Sequence, residues 1–323
     1  QGYTLENMAA DGEISASLLE KLQKTDSEEL AAAAAAELIT ITIGGNDLMG
    51  ALYEYLAEEY VEENPAEPDF DADDVREMLV AGNPDFLSFA SQKISGFALS
   101  TQAHTALSGF TTNLTAIIGA IKQVNSDATI FVATQYNPYY YLAKEYGRVF
   151  QQAQTISDAF ETGLTFLNGA ISTGAASADY QVVDVYAAFK TAADSGTNPC
   201  NPSVNLPTFS ITLDFHPNQT GHDLIAATIT DTLFEDLVLW VGGIQVTSEN
   251  YTDVLGNEDG DGATVAYDIT TNTLTLNGAE ITQGYDVGDG EYYGIYAKDD
   301  LNLELKGTNS ITLNGSYDYI CGV

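Results

Sequence analysis

Two short words carry the residue types of an acyl-transfer site: Gly44-Gly45-Asn46-Asp47 and Asp214-Phe215-His216-Pro217-Asn218. Acyl transfer needs a nucleophile, a base for its proton, a group that orients the base, and donors for the oxyanion. His216 has the chemistry of the base, and Pro217 beside it fixes the backbone at the mouth of a helix start. Asp214, two residues earlier, can orient the imidazole. Asn46 sits at a tight Gly-Gly turn on a strand end and can aim its side-chain amide at developing negative charge. Losing one such donor typically costs about 3–4 kcal/mol of transition-state stabilisation. No serine in the 323 residues occupies a nucleophile motif.

The elements that must position these words alternate strand and helix from residue 1 to about residue 237. Tyr3-Thr4-Leu5 is β-like, and a short helix over 15–22 places Leu18, Leu19 and Leu22 on one face. A helix over roughly 27–38 leads into the β-branched strand Ile39-Thr40-Ile41-Thr42-Ile43. The acidic stretch 54–74, with Pro65 and Pro68, reads as a solvated excursion after a helix. Leu107, Phe110, Leu114, Ile117, Ile118 and Ile121 then recur at helical spacing. A strand at 129–133, a helix over about 142–170, a strand at 181–185 and a last helix over about 219–237 follow. Such alternation predicts an α/β fold whose parallel sheet is covered on both faces. Function in these folds collects beyond the carboxyl ends of the strands, where both words lie.

After Leu237 the pattern changes. Thr, Asn, Gly, Tyr and Leu dominate 238–323 without helical periodicity. Thr273-Leu274-Thr275-Leu276-Asn277-Gly278 resembles Leu301-Asn302-Leu303-Glu304-Leu305-Lys306-Gly307, and Tyr293-Gly294-Ile295-Tyr296 resembles Tyr319-Ile320-Cys321-Gly322. Short strands recurring at such spacing predict a β-rich solenoid, a right-handed β-helix, whose pattern is cut in mid-repeat at Val323. Two domains are therefore expected, 1–237 and 238–323.

The formal charge of −37, from 47 acidic and 10 basic residues, excludes nucleic acid and anionic lipid surfaces as partners. It suits a protein kept soluble outside a cell. No apolar run reaches the roughly 18–20 residues of a membrane span. Cys200 and Cys321 could pair, but two cysteines do not make a disulfide scaffold. Asn257-Glu258-Asp259-Gly260-Asp261-Gly262 partly matches a calcium-loop spacing but lacks flanking helices and reads as a turn. The residues call for no metal and no cofactor.

At the two opening words the chain resembles the SGNH (GDSL-type) hydrolases, esterases, lipases and deacetylases on a flavodoxin-like three-layer sandwich. Asn7-Met8-Ala9-Ala10-Asp11-Gly12 matches their second block, Gly44-Gly45-Asn46-Asp47 the third, and Asp214-Phe215-His216-Pro217-Asn218 the fifth. Tyr136-Asn137-Pro138 and Val183-Asp184-Val185-Tyr186 sit where relatives carry similar words. The resemblance covers nearly all of 1–237. It implies that the Gly12 N–H and the Asn46 side chain form the oxyanion hole and that His216 is the general base.

There are two departures. The first block, Gly-Asp-Ser with the nucleophile, is missing, which places that serine upstream of Gln1 in a truncated active design. The family's acid lies three residues before the His, where this chain has Leu213, so Asp214 or a main-chain carbonyl orients His216.

The segment 238–323 resembles β-rich repeats in extracellular proteins of anaerobic Gram-positive bacteria, which implies such a source, and the charge of −37 suits a secreted or cell-surface protein. In it, Ser-His-(Asp) acyl-enzyme chemistry would hydrolyse a small-molecule, lipid or acylated-glycan ester. Residues 1–323 alone are expected to be inactive. The rival expectation is an adhesion or carbohydrate-binding protein in which the solenoid acts on a cell-surface glycan and the hydrolase fold is idle.

Overall fold

Apolar strands alternating with helices build the first of two units, Gln1–Thr228. The computed structural model describes residues 4–321 except 82, 150, 206–209, 213, 236, 257–263, 289 and 314–318. Leu213 and the calcium-like loop therefore lie outside the described residues.

The chain order is α1 (Ser15–Gln23), α2 (Glu28–Ala35), β1 (Leu38–Ile41), α3 (Gly45–Glu63), α4 (Ala72–Val80) and α5 (Pro84–Lys93). A 3-10 helix, Ile94–Leu99, leads to α6 (Thr101–Val124), β2 (Thr129–Ala133), α7 (Tyr140–Tyr146) and α8 (Gln151–Ala178). Next come β3 (Gln181–Val183), α9 (Val185–Asp194), the hairpin β4 (Ser203–Asn205) and β5 (Ser210–Thr212), and α10 (Gln219–Phe234).

The strands β1, β2 and β3 pair in parallel in that order, with Leu38 opposite Thr129 and Phe131 opposite Gln181. All but the first residue of β2 are buried, as a strand covered on both faces requires. Helix α6 buries Phe110, Leu114, Ile117, Ile118 and Ile121, the apolar stripe of its sequence, in the same core as Leu48, Leu52 and Leu56 of α3 and Leu164, Leu167 and Ile171 of α8.

Several boundaries differ from the sequence reading. Thr4 and Leu5 form no strand, and Leu5 is 87% exposed. Helix α2 stops at Ala35 because Asn125, from the end of α6, donates its side-chain amide to the Ala33 and Ala36 carbonyls, at 3.0 and 2.7 Å. The first half of the expected acidic excursion is helix. Leu56 and Ala57 are buried among the carboxylates, and α3 runs on to Glu63, ending before Pro65. The single helix expected over 142–170 is two, with α7 capped at Gly147. Strands β1 and β3 end two residues early, and the helices α3 and α9 begin within the words that follow them.

The second unit, Ile229–Val323, has its own apolar core of Leu239, Val241, Val265, Leu274, Leu276 and Ile295 with neighbours. Its strands are β6 (Leu239–Val241), β7 (Ile244–Gln245), β8 (Thr264–Asp268), β9 (Thr273–Asn277), β10 (Glu280–Ile281) and β11 (Tyr285–Gly288). They continue with β12 (Glu291–Tyr293), β13 (Ile295–Ala297), β14 (Asn302–Lys306), β15 (Ser310–Ile311) and β16 (Tyr319–Cys321). Three pairs are parallel: β9 with β14, β10 with β15 and β12 with β16, joining residues 29, 30 and 28 positions apart. Leu303 and Leu305 lie in register beside buried Leu274 and Leu276 yet are themselves 41% and 60% exposed. Among the described residues no sheet closes on itself.

Candidate active site

Gly44 caps the start of α3 in a left-handed conformation, with φ +105°. A Cβ there would lie 2.6 Å from the Phe110 ring and 3.1 Å from Leu167, so the turn rests directly on the core and only glycine fits. Asn46 and Asp47 consequently fall inside the first helical turn, not at the cap that a plain strand-to-helix turn would give them.

Both side chains reach back to the segment before α1. Asn46 Nδ2 donates to the Glu13 carbonyl at 3.0 Å. An amide NH2 has two protons, so its other N–H stays available. Asp47 accepts from the Ser15 backbone N–H at 2.9 Å and from the Ser15 hydroxyl at 2.5 Å. The Ser15 hydroxyl oxygen accepts in turn from Asn113 Nδ2 of α6, at 3.0 Å, and Ser15 is fully buried. These bonds tie the loop holding Gly12 to the first turn of α3, which holds Asn46.

His216 is fixed by a different set of contacts. Its Nδ1 shares a 2.6 Å hydrogen bond with Asp214 Oδ1, which also accepts the His216 backbone N–H at 3.1 Å. Asp214 Oδ2 accepts from Asn201 Nδ2 at 3.0 Å. Partial burial works to raise the Asp214 pKa, but these hydrogen bonds and the charge of His216 outweigh it and hold the carboxyl below its ordinary value.

The backbone on either side is laced to the preceding loop: the Asn201 N–H donates to the His216 carbonyl at 2.9 Å and the Asn218 N–H to the Pro199 carbonyl at 3.1 Å. Asn218 Nδ2 donates to the Asn198 and Cys200 carbonyls, while its Oδ1 caps α10 by accepting from the Gly221 N–H. A Cβ on Gly221 would sit 2.2 Å from the Pro199 carbonyl oxygen, so this close lacing needs glycine. The Tyr136 hydroxyl donates to the Phe215 carbonyl at 3.2 Å, with its ring stacked on Phe189 at 4.3 Å. Burial and the nearby Asp214 charge push the Cys200 thiol up to about 12.

Gly12, Asn46 and His216 line one cavity of about 240 Å³. Leu48, Met49, Phe160 and Leu164 form its apolar wall. Asp214 touches it only through His216, and no serine or cysteine lines it among the described residues. His104 and His222 are exposed on α6 and α10 and form no part of it. No group of three or more His, Cys, Asp or Glu side chains forms a metal site among the described residues.

Two features of the site escaped the sequence reading. One is the Ser15–Asp47–Asn113 clamp, whose members lie up to 98 residues apart. The other is Gln135 at the cavity, whose backbone N–H and carbonyl are both held by the Asn168 side chain, at 2.7 and 2.8 Å. The words at 136–138 and 183–186 serve as supports. Asn137 is buried and donates to Ser157 and Glu161, and Asp184 caps α9 while accepting from the Thr134 hydroxyl.

In three-dimensional comparison the chain is similar to phospholipase A1 from Streptomyces albidoflavus NA297, at 21% identity and TM-score 0.40, over 67% of this chain and 74% of that one. It is similar to the lipase Lip_vut3 from a goat rumen metagenome, at 16% and 0.37, over 67% and 72%. The extracellular lipase of Streptomyces rimosus matches at 19% and 0.38, over 67% and 76%. No curated protein matches the chain. Residues 2–224 match the GDSL-like lipase/acylhydrolase family, and over that span, well above half its length, the chain belongs to that family.

Proposed function

We propose that the protein is a serine ester hydrolase in which His216 is the general base and acid. The observation that carries this reading is the single cavity shared by Gly12, Asn46 and His216, with Asp214 hydrogen-bonded to the His216 ring. His216 takes the proton of a serine hydroxyl as it attacks the ester carbonyl, then returns it to the leaving alcohol. Asp214 holds the ring and stabilises the imidazolium. The Gly12 N–H and the free N–H of Asn46 meet the tetrahedral oxyanion, each supplying roughly 3 kcal/mol at the transition state. Water then cleaves the acyl-serine by the same route. Membership of an acylhydrolase family supports a lipid or other acyl ester as substrate.

The nucleophile comes from outside residues 1–323 in this reading. The cavity offers no serine, and β1 supports the same view: among the described residues it pairs only with β2, and its Thr40 is exposed where a strand inside a parallel sheet would be covered. A further strand on that edge would bring a serine to the carboxyl end of the sheet. The charge of −37 fits a secreted or surface-held enzyme. Parallel pairs spaced by 28–30 residues favour a solenoid arrangement for the second unit, one rung per pair.

The test is hydrolysis of short-chain p-nitrophenyl esters by the protein carrying its upstream residues. His216→Ala is expected to lower kcat by at least a thousandfold and Asn46→Ala by about a hundredfold. Activity that survives His216→Ala removes His216 from the mechanism. Serine-type turnover by residues 1–323 alone refutes the external nucleophile.

A further inference from the structure

The second unit carries a group of aromatic rings that its core does not use. Cross-strand register sets Gln245, Trp240 and Tyr296 side by side on the sheet β7-β6-β13. Their strand neighbours Leu239, Val241 and Ile295 are at most 1% exposed, so alternation puts Trp240 and Tyr296 on the opposite, outer face. The Tyr285 ring lies flat against Trp240, with centroids 4.1 Å apart at 17°, and 5.3 Å from Tyr296 at 43°. Tyr293 extends the group, 5.5 Å from Tyr296. All four residues are partly exposed.

Three of the four, Trp240, Tyr285 and Tyr296, have polar rims unlike those of Tyr293 and of other tyrosines in the unit. The hydroxyls of Tyr267, Tyr292 and Tyr293 bond Asn272, Asp286 and Glu291. The Trp240 indole N–H and the Tyr285 and Tyr296 hydroxyls bond no described residue. Tyr and Trp usually find partners for these groups when buried; here, on a partly exposed face, the tips are open to a ligand. Here apolar ring area and open hydrogen-bonding tips share one surface.

We propose that this face binds a neutral oligosaccharide. The C–H face of a sugar ring packs on an aromatic ring, and its hydroxyls pair with the indole N–H, the phenol tips and the Gln245 amide. A cation is disfavoured by geometry. Trp240 and Tyr285 are stacked face to face on each other, leaving no cage between them for a point charge, and Asp286 and Glu291, the adjacent carboxylates, already accept tyrosine hydroxyls. An anionic ligand is disfavoured by the charge of −37. This site is independent of the hydrolase cavity and of any activity there.

Trp240 is the sole tryptophan of the 323 residues, so its emission reports this face alone. The experiment titrates the full chain with cellohexaose, xylohexaose and mannohexaose while recording Trp240 fluorescence. A saturable shift with at least one hexaose is expected, weakened about tenfold in Tyr285→Ala and in Tyr296→Ala. Tyr296→Phe keeps the ring and should lose only a fewfold, which separates ligand contact from misfolding. The proposal is overturned if no hexaose shifts the emission, or if both alanine variants titrate like the parent. It is equally overturned if choline chloride produces the shift and the sugars do not, which would make the face a cation site.

Discussion

The Asp47 carboxylate accepts both polar groups of Ser15, the backbone N–H at 2.9 Å and the hydroxyl at 2.5 Å. The first turn of one helix therefore holds the first residue of another. Hydrogen bonds to charged groups are worth about 1.5–3 kcal/mol each, and a buried donor left alone adds its own penalty. Asp47→Ala should lower unfolding free energy by roughly 3 kcal/mol, and Asp47→Asn by about half that. Urea denaturation at neutral pH reads both, and a loss below about 1 kcal/mol for Asp47→Ala would show that the clamp carries little.

Gly44→Ala tests the contact between turn and core. The added methyl group would meet Phe110 at 2.6 Å in a backbone conformation with φ +105°. A left-handed alanine costs about 1–2 kcal/mol and overpacking about 1–3. A combined loss of about 3 kcal/mol should appear in thermal unfolding, and the wild-type melting temperature would contradict the geometry.

The Asp214–His216 pair predicts a sign for the acid dependence of stability. Asp214 titrates lower in the folded chain than the unfolded value of about 3.9, so its contribution is present above that pH. The contribution is lost as pH falls through the folded pKa. The melting temperature of wild type should exceed that of Asp214→Asn above about pH 4, and the difference should close toward pH 2. A gap that widens in acid has the wrong sign.

Cys200 is buried and its thiol is pushed up to about 12, so little thiolate exists at pH 8. Iodoacetamide should leave Cys200 unmodified in the folded protein and modify it fully in urea, as read by peptide mass. Rapid labelling without denaturant would mean that the loop at 198–201 opens.

What the sequence made legible was local. Strand β2 runs over Thr129–Ala133 as its β-branched run predicts, and α6 buries the stripe spaced by three and four. Asp214 reaches the His216 ring because two residues of chain already hold them near. Information was missing wherever a distant side chain ended or replaced a backbone bond. Nothing near residue 36 announces that Asn125 will cap α2, and nothing near Asp47 announces that Ser15 will be its partner. The acidic run after Glu54 misled for the opposite reason. Charge count concealed two buried residues, Leu56 and Ala57, that keep the helix docked.

Asn168 gives Gln135 the pair of hydrogen bonds that a neighbouring strand would give, although it belongs to a helix. Phe160 and Leu164 of the cavity wall lie two turns and one turn before it on the same face of α8. Sheet end and cavity wall are thus geared through one amide: a slide of α8 along its axis would carry Gln135 with it.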